Sequence, residues 1–267
     1  MTKPPVCLTI AGLDPSGGAG VIADIKTFSA FGCFAAAAVA SLTFQNTTGV
    51  FGASHQSGKT VRRQVEPIFA DYEVAAVKTG MLPTREVIET VAEIIAESHV
   101  PWVVVDPVVR STSGFDLIDD TALRALIDRL FPQATVVTPN IPEAERISGV
   151  AIDTEDDIID AADVMHGQGA RTVLIKGGHF RTGNIARDFL FSDGERRVFE
   201  SDFIETDATH GTGCTLAAAI AANLALGNDL VAAIEVSKKF VTEAIRTAPG
   251  LGKGHSSVNH LVKIETL

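Results

Sequence analysis

The sequence predicts an α/β fold of three layers, αβα, with a mostly parallel central sheet and an antiparallel hairpin at its edge. Three observations carry this expectation. Short apolar runs rich in β-branched residues recur along the chain. They are continuous rather than alternating, as suits strands buried on both faces. Amphipathic helical patterns separate them, and one hairpin signal, Asp193-Gly194, stands between two strand-like runs.

Taken in order, "VCLTIAG" (6–12) is the first strand. "GLDPSGGAGVIADIKTF" follows, a glycine-rich turn with a helix opening near Gly18. "FGCFAAAAVASLTF" (31–44) is apolar but too short to span a bilayer. "VAAVKTG" (74–80) is the next strand. "TREVIETVAEIIAESH" then puts Val87, Val91, Ile94 and Ile95 on one helical stripe, with Thr84 as its N-cap. Strand "WVVVDPV" (102–108), helix "DDTALRALIDRLF" and strand "TVVTPN" (135–140) continue the alternation. Helix "TEDDIIDAADVMHGQG" offers Gly167 or Gly169 as a C-cap before strand "TVLIKGG" (172–178). "ARDFLFSDGERRVFESDF" is the edge hairpin, and "DATHGTGCTLAAAIAANLAL" ends in a buried helix. Crossovers between parallel strands are right-handed. No linker or repeat interrupts the pattern, so one domain over residues 1–267 is expected.

Composition narrows the classes. Hydrophobic residues make up 46% of the chain, enough for a large core. A formal charge of -11 argues against a general binder of nucleic acid or anionic membrane. The three cysteines, Cys7, Cys33 and Cys214, are odd in number and widely spaced, which makes neither a zinc motif nor a disulfide framework. The N-terminal stretch lacks the apolar run of a signal peptide, and a cytoplasmic protein is expected.

Five strands end in polar segments: Gly12-Leu13-Asp14, Lys78-Thr79-Gly80, Asp106-Pro107, Pro139-Asn140 and Lys176-Gly177-Gly178. Open α/β sheets bind ligands outside the carboxyl ends of their strands. Each segment also has a plainer reading. Met81 reads as core. Asp106 is either a carboxylate for hydrated Mg²⁺ or a turn residue stiffened by Pro107. Asn140 and Glu143 have the spacing of a capping box, or they face a nucleotide and its metal. Lys176, before two glycines, is a phosphate candidate. Gly211, Thr212 and Gly213 open a helix, where backbone amides and the helix dipole favour an anion. At such a place the Cys214 thiolate is favoured and its pKa is expected to fall. Cys214 reads equally as a small packed residue, and Cys7 and Cys33 read as core. His210 reads as a cap or loop residue.

Together "LTIAGLDPSGGAGVIADIKTFSAFG", "QNTTGV", "KTGML", "DPVV", "TPNIPEAE", "LIKGGH" and "THGTGCTLAAAIAA" resemble the hydroxymethylpyrimidine/phosphomethylpyrimidine kinases of thiamine biosynthesis, in the ribokinase-like superfamily. The resemblance runs from about residue 8 to 260. It implies ATP and Mg²⁺, two successive phosphorylations of 4-amino-5-hydroxymethyl-2-methylpyrimidine, and a homodimer. Carried over by motif, Cys214 is the base, where related superfamily kinases have an aspartate. Gly211, Thr212 and Gly213 form the anion hole. Gly12, Ala19, Gln45, Met81 and Val108 bind the pyrimidine. Asn140, Lys176 and Thr209 hold ATP, and Asp106 and Glu143 serve Mg²⁺ directly or through water.

The chain departs from the family at Ala208, at Val109, and in "GKGHSSVNH" near the C-terminus, a loop expected near adenine. Two alternatives stand beside this reading. A pyridoxal or pyridoxine kinase of the same superfamily would share most motifs. A non-catalytic ligand-binding protein would not need Cys214, Lys176, Asp106 and Glu143 together.

Overall fold

The computed structural model describes residues 3–109 and 117–263. The single-domain expectation over 1–267 thus extends beyond the described residues. One nine-stranded sheet runs in the order β3-β2-β1-β4-β5-β6-β7-β8-β9. Its parallel part is β1 (Val6–Leu13), β2 (Phe34–Asn46), β4 (Val74–Thr79), β5 (Trp102–Val105), β6 (Val136–Val137) and β7 (Thr172–Thr182). Antiparallel pairs close both edges: β3 (Gly49–His55) against β2, and β8 (Ile185–Ser192) against β7 and β9 (Glu195–Asp202). The expected hairpin is the β8–β9 turn, where Asp193 and Gly194 both take positive φ, 51° and 77°. The second hairpin, β2–β3, corrects the expectation of one antiparallel edge. The alanine-rich run at 34–46 is its long strand.

Two apolar cores lie on opposite faces of the sheet, which makes the three layers. On one face Leu8, Ile10, Val77, Val103, Val105, Val173 and Ile175 pack against helices α2 (Gly58–Asp71), α3 (Arg85–Ser98), α4 (Asp120–Ala125), α5 (Ile141–Ser148) and α6 (Glu155–Gly167). On the other, Cys7, Ala76, Val104, Val136 and Leu174 meet α1 (Gly20–Ala30), α7 (Thr212–Ala225) and α8 (Leu230–Arg246). Alternate residues of each strand serve opposite faces, hence the continuous apolar runs. Cys7 and Cys33 are core residues beneath α7, as expected.

Local chemistry sets the helix ends. Thr84 accepts the Val87 amide, and Thr154 with Asp157 forms a capping box at α6. α6 ends at Gly167, and Gly169 supplies the positive φ of 100° just beyond it. The helix expected over 119–131 changes form. After α4 it runs through a π turn (Leu126–Leu130) and a 3-10 turn (Phe131–Gln133). Pro132 lacks the N–H that a continuing α-helix needs. α1 begins at Gly20, within two residues of the expected Gly18; Ala19 before it is extended, and the Asp14 side chain accepts the Gly18 and Ala19 amides.

Candidate active site

The parallel strands carry their polar ends to one edge of the sheet, where the first turn of α7 meets them. Gly211 is the N-cap of α7, at φ 81°. A Cβ there would overlap the carbonyl oxygen of Gly18. Only glycine lets the two loops approach this closely. The first-turn amides have no intrahelical acceptor. That of Thr212 turns back to the Thr209 carbonyl at 3.3 Å, which leaves Gly213 and Cys214 as the first-turn donors available to an anion.

Two cavities flank this turn. One, of about 110 Å³, is lined by Gly12, Ala19, Gln45, Met81, Val108 and Cys214, together with Asp14, Thr43 and His210. All five residues expected to hold the pyrimidine are therefore gathered around Cys214. The other, of about 250 Å³, is mostly apolar, with Phe203, Leu216, Val241 and Ile245. Lys176, Thr209 and Thr212 line it as well. Gly211 and Cys214 face the first cavity and Thr212 the second, so the helix terminus separates them.

Lys176 reaches over that terminus: a Cβ on Gly213 would stand 3.0 Å from its Nζ. Its ammonium donates to Asp106 Oδ1 at 2.9 Å. Burial works to lower the Lys176 pKa, but the charges of Asp106 and Glu143 overcome it and hold the lysine above its ordinary value. Burial likewise works to raise Asp106, but Lys176 and Lys78 keep its carboxyl below the usual range. Glu143 is pushed up to about 7, by burial first and then by the charge of Asp106, against the pull of Lys176.

Asn140 and Glu143 form the capping box at the start of α5. Glu143 N–H donates to Asn140 Oδ1 at 2.9 Å, and Asn140 N–H to Glu143 Oε2 at 2.8 Å. Asn140 bridges to Lys176 through the backbone, yet it is not among the residues lining the larger of the two cavities. Its capping role is the one the geometry displays. For Mg²⁺, no group of three His, Cys, Asp or Glu side chains converges among the described residues. Mg²⁺ keeps several waters and uses one or two carboxylates with substrate phosphates. Asp106 and Glu143 fit that arrangement, though Glu143 already spends one oxygen on its cap.

Cys214 corrects one expectation. Burial pushes its thiol up to about 11, against the lowering effects of Lys78 and the Gly20 amide. Removal from water, with the nearby charges of Asp106 and Asp24, outweighs them. Lys78 itself is fully buried and donates to both oxygens of Asp24, at 3.0 and 2.9 Å. Burial works to lower its pKa, but the charge of Asp24 overcomes it and holds the lysine above its ordinary value.

Asp24 and Asp14, to which the sequence assigned no role of their own, hold the site together. Asp24, in α1, anchors Lys78 and also accepts from Thr9 Oγ1 at 2.6 Å. Asp14 accepts from Ser16, Gly18 and Ala19 amides and from His210 Nε2 at 2.8 Å. Burial opposes ionisation of Asp14, but the His210 and Ser16 hydrogen bonds keep its carboxyl below the ordinary value. The one available signal was Asp14's place at a strand end before a glycine turn. The loop 252–255, expected near adenine, does not line the larger cavity but lies against Thr47, at the tip of the β2–β3 hairpin.

A parallel sheet covered on both faces, with a helix terminus between two cavities at its carboxyl edge, defines a ribokinase-like protein. Residues 14–259 match the family model described as phosphomethylpyrimidine kinase. A hydroxymethylpyrimidine/phosphomethylpyrimidine kinase of Staphylococcus aureus is 40% identical over 99% of this chain and 96% of its own. A solved phosphomethylpyrimidine kinase of Clostridium difficile matches with a TM-score of 0.80 at 39% identity, over 90% of this chain and 99% of its own. The pyridoxal kinase of Staphylococcus aureus, solved with ADP, matches with a TM-score of 0.90 at 31% identity, over 97% and 94% of the two chains. The chain belongs to the phosphomethylpyrimidine kinase family.

Proposed function

We propose that the protein transfers the γ-phosphoryl group of ATP to the hydroxymethyl group of 4-amino-5-hydroxymethyl-2-methylpyrimidine, and then phosphorylates the monophosphate, for thiamine biosynthesis. The observation that carries this reading is the gathering of Gln45, Met81, Val108 and Cys214 around one small cavity at the α7 terminus. Gln45 pairs with the aminopyrimidine edge. A ring that cannot answer its amide leaves a buried polar group unpaired, which discriminates strongly. ATP takes the larger cavity, with its base among Phe203, Val241 and Ile245 and its phosphates toward Lys176 and Thr209.

In the first transfer the substrate hydroxyl oxygen forms a bond to Pγ. The bond from Pγ to the β–γ bridging oxygen breaks, and ADP leaves. The hydroxyl proton passes to the thiolate form of Cys214, which becomes the thiol. The Gly213 and Cys214 amides and Lys176 stabilise the charge on the moving group, where most of the catalysis of phosphoryl transfer lies. In the second transfer the nucleophile is a phosphate oxygen, already ionised near neutral pH, so no base is required. Mg²⁺, when bound, neutralises the β- and γ-phosphates, and Asp106 and Glu143 would hold its hydrated form. Asn140, through the side-chain nitrogen its cap does not use, would reach the phosphates.

We also take the whole chain as one kinase domain, because a single sheet carries both cavities. Three free cysteines suit a reducing, cytoplasmic setting, and no helix among the described residues is long and apolar enough to cross a membrane. A homodimer through the β2–β3 ribbon fits Phe44 and Phe51, which are 54% and 70% exposed there. The pyridoxal reading is the second possibility, favoured by the likeness to pyridoxal kinase. Measuring ADP release with the hydroxymethylpyrimidine tests the proposal. Release is expected with the pyrimidine and much more slowly with pyridoxal. Release with neither would point to a non-catalytic binder.

A further inference from the structure

The tip of the β2–β3 hairpin is gripped by a distant part of the chain. Thr47 Oγ1 accepts the amides of Lys253 and Gly254, each at 3.2 Å. The Thr47 carbonyl accepts the His255 amide at 2.9 Å. The loop fits closely because it has no side chains at two places. A Cβ on Gly252 would overlap Thr47 Oγ1, and one on Gly254 would overlap the Thr47 carbonyl oxygen. Thr47 is half-buried by this grip, while Asn46 and Thr48 on either side are exposed.

Both ends of the grip lead to the smaller cavity. Thr47 lies two residues beyond Gln45 and three before Val50, and both of those line it. The gripping loop continues into Ser256, whose carbonyl accepts the His210 amide at 3.3 Å. Ser257 forms a backbone bridge with His210. His210 in turn donates to Asp14 and lines the same cavity. One chain of contacts therefore runs from the hairpin tip, through loop 252–257, to the segment that opens α7.

We propose that Thr47 is a positioning residue for substrate recognition: held by loop 252–255, it sets Gln45 over the pyrimidine and fixes the hairpin relative to the His210 segment. This rests on the pyrimidine reading above. Thr47 touches no reacting atom, so its effect falls on how the ring is held and selected. Thr47→Val keeps the side-chain shape and removes the acceptor. The two amides it releases are on exposed residues, where water can take them, so the fold should survive.

Steady-state kinetics of Thr47→Val, Thr47→Ser and the unaltered protein test this, with both KM values measured. Thr47→Val should raise KM for the hydroxymethylpyrimidine roughly five- to tenfold, the effect of one or two net hydrogen bonds. KM for ATP and kcat should be unchanged, preference over pyridoxal should fall, and Thr47→Ser should restore the original values. Gly254→Ala breaks the grip from the other side and should give the same pattern, even if Thr47→Val folds poorly. A lowered melting temperature with neither KM moved would mean the grip is only structural and would overturn the inference. Loss of kcat at constant KM would overturn it too. A silent unaltered protein rejects the pyrimidine reading and this inference together, whereas normal turnover with unmoved variants rejects Thr47's role alone.

Discussion

A thiol held at about 11 ionises rarely at neutral pH, so Cys214 offers its thiolate as a minor species. For the first transfer, kcat/KM reports the free enzyme and should climb with pH between 7 and 9. A flat profile would mean that Cys214 orients the hydroxyl as a thiol and takes no proton. Cys214→Ala should slow the first transfer by about 10²- to 10⁴-fold, the usual range for a lost proton acceptor. It should slow the second far less, because a phosphate oxygen is already a competent nucleophile. Separate assays starting from the alcohol and from the monophosphate read this difference, and equal losses would contradict it. Glu143 offers a second test. Its folded-state pKa of about 7 lies above the ordinary 4.5. Its contribution to stability is thus full below pH 4.5 and lost as pH rises through 7. Of the roughly 3 kcal/mol this represents in all, the unaltered protein should lose about 1 kcal/mol between pH 6.5 and 8, read by melting. Glu143→Gln should lack that slope, whatever constant cost the amide brings. His260, which burial holds down to about 4, adds a small opposing rise near pH 6.5, and comparison with Glu143→Gln cancels it.

Elements are tied together beneath the site by one buried ion pair. Lys78 of β4 joins Asp24 of α1, and Thr9 of β1 completes the set. Lys78→Met leaves a buried carboxylate without its cation and should cost about 3–5 kcal/mol. Asp24→Leu added to Lys78→Met should recover most of that, and urea unfolding of the three proteins reads it. A double variant as unstable as the single one would show that the pair is not the source. Lys78 was visible in the sequence at a strand end, but its partner lies 54 residues away on another element. Spacing alone does not announce such a pair. The two hairpins show the same limit locally. Asp193-Gly194 has the residue types that tolerate positive φ, and both adopt it. The β2–β3 turn uses Thr47 and Thr48 with negative φ, so it carries no such signal. Its form is upheld by loop 252–255, a contact that only the folded chain makes. Caps were legible because their chemistry is local: Thr84 and the Asn140–Glu143 box stand where the spacing put them.

For the molecule as a whole, parallel strands bring their polar ends to one edge, and this makes a scattered set of residues into a site. Strand-end position was readable from apolar runs that stop at Asp106 or Lys176. The division into two cavities was not, because it depends on how α7 lies between β-strand ends and the hairpin. Nor was the rise in the Cys214 pKa, since how far a residue at a helix start is shielded from water, and which charges lie near it, is set by the folded chain. One chain should phosphorylate a hydroxymethylpyrimidine twice and prefer it to pyridoxal. Mass analysis of the products tests this directly, with ATP and equal amounts of the pyrimidine and pyridoxal present together. Pyrimidine monophosphate should appear first and diphosphate follow, with pyridoxal phosphate a minor product. Pyridoxal phosphate formed as fast as the pyrimidine monophosphate, or a monophosphate that never becomes the diphosphate, would contradict it.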